Sequence, residues 1–301
     1  MSTGSAISRG DQVRPDFQFR RILVLTDFSR GAKSALKTAR AVARKCNSKL
    51  FLLHVIPTTA FQFISSTSAA EAMLLAKEFA NQEMRTTLEE GKLPGCEEEG
   101  IVAEGPMWPT ISETIRSHEI DLIAMGTHNG VAEKKLCLGS VAEQIYRMVD
   151  CPILTAPPEN TSSNKFEIQR FLFATNFKPH SERAACAAHS LGCGPNNKLT
   201  VLHVIDEPRE SSQQSNKIVR EFLVKRMAKS MPLICHGCAP EYEIRFGRPA
   251  EEILAASSEL HSDLIFLGVR TEPRAAGHLP SALVYNVVCN SKCPVLTIQQ
   301  K

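Results

Sequence analysis

Several functional classes are excluded by what this sequence lacks. No apolar run approaches the ~20 residues needed to cross a bilayer, and residues 1–16 are polar with no apolar signal core. The expectation is therefore a cytoplasmic protein with no membrane partner. The 35 basic and 32 acidic residues leave a net charge of only +3 and are not gathered on one face, so no nucleic-acid partner is expected. There is no Gly-Lys-Ser/Thr Walker lysine, no nucleophile, base and orienter set, and no spacing that gathers metal ligands. No dedicated catalytic residue and no metal site are expected. Ten cysteines would permit disulfides, but Cys46, Cys137 and Cys186 occupy apolar-patterned positions where a thiol serves as a small core residue, so most are expected to be reduced.

What the chain does have is a long internal repeat. Arg21-Ile22-Leu23-Val24-Leu25-Thr26-Asp27-Phe28-Ser29 returns as Arg170-Phe171-Leu172-Phe173-Ala174-Thr175-Asn176-Phe177-Lys178, and Leu53-His54-Val55-Ile56 returns as Leu202-His203-Val204-Ile205, both 149 residues later. Asp121-Leu122-Ile123-Ala124-Met125-Gly126 returns as Asp263-Leu264-Ile265-Phe266-Leu267-Gly268, and Cys151-Pro152 as Cys293-Pro294, both 142 residues later. Solenoid repeats run to only ~20–50 residues, so this period marks a duplicated domain. Residues 1–17 read as a mobile tail, 18–156 as the first domain, 157–165 as a Pro/Asn/Ser-rich linker and 166–301 as the second domain.

Within the first copy, Ile22–Leu25, Leu50–Val55 and Asp121–Met125 are apolar runs too short for helices and read as strands buried on both faces. Ser29–Cys46 carries Ala32, Ala35, Leu36, Ala39, Val42 and Ala43 on one helical stripe. Further helices are predicted over about Ala69–Glu90, Thr110–His118 and Ser140–Val149, with strands near Ile101–Ala103 and Pro152–Thr155. The alternation implies an α/β fold: two tandem Rossmann-like domains, each an open, mainly five-stranded parallel sheet with helices on both faces. Ligands of such sheets bind beyond the carboxyl ends of the strands, where strand order reverses.

Unusual residues stand at those ends. Asp27 follows the first strand, and its carboxylate needs either a ligand donor or free helix amides, which makes it a ligand group or a helix N-cap. Gly126-Thr127-His128-Asn129-Gly130, followed by Gly139-Ser140 opening a helix, could present backbone N–H groups and a helix N-terminus to a phosphate, or serve only as turn and cap chemistry.

Together, the strand ending Thr26-Asp27-Phe28-Ser29, the strand ending Leu53-His54-Val55, the Asp-Leu-Ile-x-Met-Gly strand, Gly139-Ser140-Val141-Ala142-Glu143 and Cys151-Pro152 resemble the universal stress protein family, in two copies that cover almost the whole chain. ATP-binding members of that family carry Gly, two residues, Gly, nine residues, Gly and Ser/Thr. Here the run is Gly126, Thr127-His128, Asn129, nine residues, Gly139 and Ser140, with only the middle glycine changed. The resemblance implies that ATP or ADP is bound in the first domain, with Mg2+ accompanying it. Leu25, Thr26, Asp27 and Val55 would hold the adenine and ribose side, Met125, Gly126, Thr127 and His128 would line the nucleotide, and Asn129, Gly139, Ser140 and Val141 would face the phosphates. Asn tolerates positive φ better than other non-glycine residues, so Asn129 weakens the match without removing it.

In the second copy Asp27 becomes Asn176, Asn129 becomes Thr271, Gly139 becomes Ser281 and Ser140 becomes Ala282, and Pro280 removes a backbone donor. That half reads as a degenerate site that supplies structure and a surface. The two copies are expected to pack as an intramolecular pseudo-dimer through their terminal strands, an arrangement compatible with a further homodimer. His54 and His203 read as packing histidines. Trp108, between Pro106 and Pro109, reads as a plug at the start of a helix or as a base-stacking ring, and Lys134-Lys135 as a solvated helix face or a phosphate neighbour. Cys235-His236-Gly237-Cys238 lacks the second ligand pair of a zinc site and is open to packing or redox pairing. The expected function is a nucleotide-binding stress or regulatory role in which slow ATP hydrolysis is tolerated. A ligand-free scaffold or holdase with both sites decayed is the competing reading.

Overall fold

The computed structural model describes residues 17–61, 66–92, 94–127, 138–158, 167–207, 216–231, 239–269 and 281–299. Its first half runs β1 (Arg21–Leu25), α1 (Arg30–Cys46), β2 (Lys49–Pro57), α2 (Ser66–Glu89), β3 (Glu97–Gly105), α3 (Met107–Ser117), β4 (Leu122–Gly126), α4 (Ser140–Met148) and β5 (Ile153–Ala156). The second repeats the order as β6 (Arg170–Ala174), α5 (His180–Gly192), β7 (Lys198–Ile205), α6 (Asn216–Ser230), β8 (Glu241–Phe246), α7 (Pro249–Glu259), β9 (Leu264–Val269), α8 (Ala282–Asn290) and β10 (Val295–Gln299). None of the described helices is long and apolar enough to cross a membrane.

All ten strands form one sheet in the order β3-β2-β1-β4-β5-β10-β9-β6-β7-β8. Pairing within each half is parallel, whereas β5 and β10 pair antiparallel through Thr155↔Val295, Leu154↔Leu296 and Ile153↔Thr297. The strand order reverses between β1 and β4, and again between β6 and β9, so each half has its own switch point. Because the junction is antiparallel, the carboxyl edges of the two halves face opposite ways. Two apolar layers cover the sheet. One gathers α1, α2, α5 and α6 around residues such as Leu36, Val42, Met84 and Met227, and the other gathers α3, α4, α7 and α8 around Ile111, Ile145, Ile253 and Val287.

Local chemistry explains the boundaries. α1 starts where Ser29 Oγ accepts from Ala32 N and stops at Asn47, whose φ of 53° gives a left-handed C-cap. α3 begins at Met107 rather than Thr110, because Pro109 lies in the first turn, where its missing N–H costs nothing. Trp108 packs there against the second apolar layer. β3 is far longer than the expected Ile101–Ala103: Glu97, Glu98 and Glu99 extend it as an edge strand along nine register pairs with β2. Lys49 bridges Glu97 and Glu99, while Arg40 of α1 holds the buried Glu98 through two hydrogen bonds of 2.9 and 2.7 Å. Charge pairing thus lets an acidic run behave as a strand.

Candidate functional site

The first switch point is built by the turn that leaves β1. Thr26 N donates to Leu53 O at 2.9 Å and ties the turn to β2. Phe28 then adopts φ of 61°, a left-handed conformation that is an outlier for a bulky residue. Thr26 Oγ1 accepts from Phe28 N at 2.9 Å, and the Phe28 ring stacks on His54 at 4.6 Å, which holds the strained backbone in place. His54 is satisfied in turn, with Nδ1 2.9 Å from Thr26 O. Asp27 is exposed, and its Oδ1 accepts from Ser29 N at 3.0 Å. It is not the N-cap of α1. Ser29 takes that role, because the left-handed turn at Phe28 delays the helix by two residues.

β2 outruns β1. Their register ends at Leu25↔Leu53, while Val55 and Ile56 continue in pairing with Ala103 and Glu104 of β3. The backbone of Val55 on the β1 side therefore lies beyond the last rung, next to the Thr26-Asp27 turn. The Val55 side chain is buried, as is Met125, and Leu25 is half-buried.

At the end of β4, Gly126 meets α1 backbone to backbone. A β-carbon there would stand 2.3 Å from the carbonyl carbon of Gly31. The glycine is demanded by packing whatever else it does. Thr127 is buried, and both its N–H and its Oγ1 donate to Ala156 O, at 2.8 and 3.3 Å. His128, Asn129 and Lys134-Lys135 lie outside the described residues. The chain returns at Leu138, which is fully buried, and Gly139 forms the N-cap of α4 with φ −67° and ψ 166°. Gly139 has no side chain with which to cap this helix, and Ser140 is exposed at its first position. The first amides of a helix lack internal partners, so α4 presents donors and the positive end of its dipole at the carboxyl edge of β4.

The second half keeps the scaffold and changes the chemistry. Phe177 again has positive φ, at 60°, its ring lies 4.4 Å from that of His203, and His203 Nδ1 stands 2.8 Å from Thr175 O. Burial is the main reason that the His203 pKa is lowered, and the nearby Arg226 charge lowers it further, against the opposing hydrogen bond to Thr175. A β-carbon on Gly268 would stand 2.4 Å from His180 O, which matches the Gly126 contact. Asn176 stands where Asp27 was, and its Oδ1 accepts from Lys178 N and Ser181 Oγ. Ser281, at the position of Gly139, accepts from Val284 N and caps α8.

The paired left-handed phenylalanines are a feature that sequence reasoning missed. The available signal was Thr-x-Phe in both copies, each with a histidine 26 residues after the phenylalanine. Of the cysteines, Cys193 and Cys289 are disulfide-bonded, while Cys46, Cys96, Cys186 and Cys293 are free thiols. Cys235 and Cys238 lie outside the described residues. Among the described residues no group of three or more His, Cys, Asp or Glu could hold a metal ion.

The sequence pattern of the universal stress protein family matches residues 18–157 and again 167–299. Universal stress protein MJ0531 of Methanocaldococcus jannaschii is 27% identical over 141 residues, spanning 45% of this chain and 81% of that one. Universal stress protein MJ0577 of the same organism is 27% identical over 158 residues, spanning 48% of this chain and 98% of its own length. The crystal structure of a universal stress protein from Archaeoglobus fulgidus superposes with a TM-score of 0.66 at 21% identity, covering 95% of this chain and all of that one. That likeness bears on the fold alone.

Proposed function

The chain belongs to the universal stress protein family as a tandem member, and from that premise we propose that its first half binds ATP or ADP and its second half does not. The observation that carries this reading is the contrast between Gly139 and Ser281. At one helix the N-cap residue is a glycine that leaves the N-terminal amides uncapped among the described residues, and at the other a serine hydroxyl takes the equivalent amide. A phosphate fits the first arrangement, since unpaired helix amides and the dipole both favour an anion there.

The remaining residues suit the rest of a nucleotide. Asp27 offers an exposed acceptor for ribose hydroxyls or an exocyclic amine, and the Val55 backbone lies beyond the β1–β2 register within the same corner. Ser140 and Val141 open α4 on the phosphate side, with Gly126 and Met125 at the end of β4 behind them. Mg2+ would accompany the phosphates. No step of catalysis is assigned to any residue, and the role is regulatory, with nucleotide occupancy as its input. We further propose that residues 18–156 and 166–301 are two domains held as a pseudo-dimer by β5 and β10, with the second supplying structure and a surface.

The test is mass spectrometry of nucleotide released by heating freshly purified protein, paired with calorimetric titration of ATP into wild type and Gly139→Val. Released adenine nucleotide, together with binding that the valine abolishes, is the expected result. A folded protein that releases and binds none leaves the ligand-free scaffold as the reading.

A further inference from the structure

A second site, unconnected with the nucleotide, lies in the other half. Between the turn leaving β6, the first turn of α5 and the last turns of α6 is an open cavity of about 220 Å³, lined by Phe177, Lys178, Ser181, Glu182, Arg226 and Lys229 among others. This is several times the ~30 Å³ share of a liquid water. Three of these side chains are cations and one is a carboxylate.

Among the described residues none of Lys178, Arg226 and Lys229 forms an ion pair. Elsewhere in the same half Lys198 bridges Glu241, and Arg245 is held by Glu243 and Glu259. Two hydroxyls on the wall already donate elsewhere, Ser181 Oγ to Asn176 Oδ1 at 2.9 Å and Ser230 Oγ to Met227 O at 2.7 Å, and Thr175 Oγ1 accepts from Phe177 N at 3.2 Å. The charged donors on the wall are the two ammonium groups and the guanidinium. Arg226 is also positioned in advance: its guanidinium carbon sits 4.4 Å from the centre of the Phe177 ring, and that ring is fixed by its left-handed backbone and by His203.

The fold does not require this charge. Met84 in α2 and Met227 in α6 are both buried at matching points of the two copies, 143 residues apart, which puts Glu83 at the place of Arg226 and Thr86 at that of Lys229. At the 149-residue offset of the β1 and β6 turns, Ser29 stands for Lys178 and Lys33 for Glu182. The three cations belong to the second half alone.

We propose that this cleft binds a compact multivalent phosphate oxyanion. A planar guanidinium fork grips such a group in two places while two ammonium groups add point charge. Glu182 offsets one of the three positive charges, so the wall keeps a net positive charge and its attraction grows with the charge of the bound anion. Among the described residues the only ring in the lining, Phe177, is already packed against Arg226 and His203, so the cleft reads phosphate and not a base.

The experiment is calorimetric titration of inorganic pyrophosphate into the full chain, into Arg226→Gln/Lys229→Gln and into Gly139→Val. Loss of two charge-assisted contacts should weaken binding by about tenfold or more in the double variant, while Gly139→Val, which closes the phosphate site proposed in the first half, retains a pyrophosphate-binding event that belongs to this cleft. The proposal is overturned if pyrophosphate produces no heat, or if the valine weakens it and the double variant does not. ADP titrated into Gly139→Val is the remaining arm. Tighter binding of ADP than of pyrophosphate would mean that a base is being read, and would overturn the assignment to a free oxyanion.

Discussion

Gly31 and Gly126 touch backbone to backbone, so closely that a β-carbon on Gly126 would stand 2.3 Å from the Gly31 carbonyl carbon and 2.7 Å from Ala32 N. There is little room to shift, because Gly31 and Ala32 of α1 are buried and the β4 residues leading to the half-buried Gly126 are buried as well. Gly126→Ala is expected to destabilise the protein by about 1–3 kcal/mol, the usual cost of overpacking, with or without nucleotide. Urea unfolding of the unliganded protein checks it. An unchanged midpoint would show that the contact relaxes freely.

That contact also marks how far the sequence could be read. The repeat, the strand and helix order and the switch point were legible, because buried strands and the α1 stripe are written in local apolar periodicity. Gly126 was legible as a glycine but not in its cause: a helix packed on a strand and a backbone facing phosphate both ask for the same residue. Ser29 rather than Asp27 caps α1, because only the left-handed turn at Phe28 decides where the helix begins. The full extent of β3 was hidden because its glutamates are matched by Lys49 and Arg40, which lie about 50 residues away in sequence.

Arg40 and Glu98 form a nearly dry ion pair, with side chains only 7% and 3% exposed. Arg40 also donates to the carbonyls of Thr87, Leu88 and Glu90, so it fastens the end of α2 to α1 and β3. Arg40→Met should cost about 3–5 kcal/mol, because it strands a buried carboxylate. Adding Glu98→Leu should recover much of that loss. Chemical denaturation of the two variants measures both, and equal stability of the single and double variants would refute the role of the stranded charge.

Stability should depend on pH through His203. Its folded pKa is lowered by burial and by the Arg226 charge, below the ordinary histidine value of about 6.5. The unfolded chain therefore takes the proton first as pH falls. The contribution of His203 is fully present above about pH 6.5 and is lost as pH drops from there through the folded pKa. Denaturation midpoints of wild type should fall more steeply through this window than those of His203→Gln. Parallel curves for the two proteins would show that His203 does not titrate on unfolding.

The sharpest test of the nucleotide reading is to give the first half the cap of the second. Ser281 Oγ accepts from Val284 N, and the matching pair in the first half is Gly139 and Ala142. Gly139→Ser should let a hydroxyl take the Ala142 amide, leaving the unliganded protein as stable as before or firmer by a few tenths of a kcal/mol. If phosphate oxygens use those same amides, ATP must now compete with the hydroxyl, and the loss of one charge-assisted hydrogen bond weakens binding by about tenfold. Urea unfolding and ATP calorimetry on the same preparation separate the two effects. A serine variant that is equally stable and binds ATP as wild type does would show that the α4 amides are not the phosphate ligands, and Asp27 and Val55 would then have to hold the nucleotide without them.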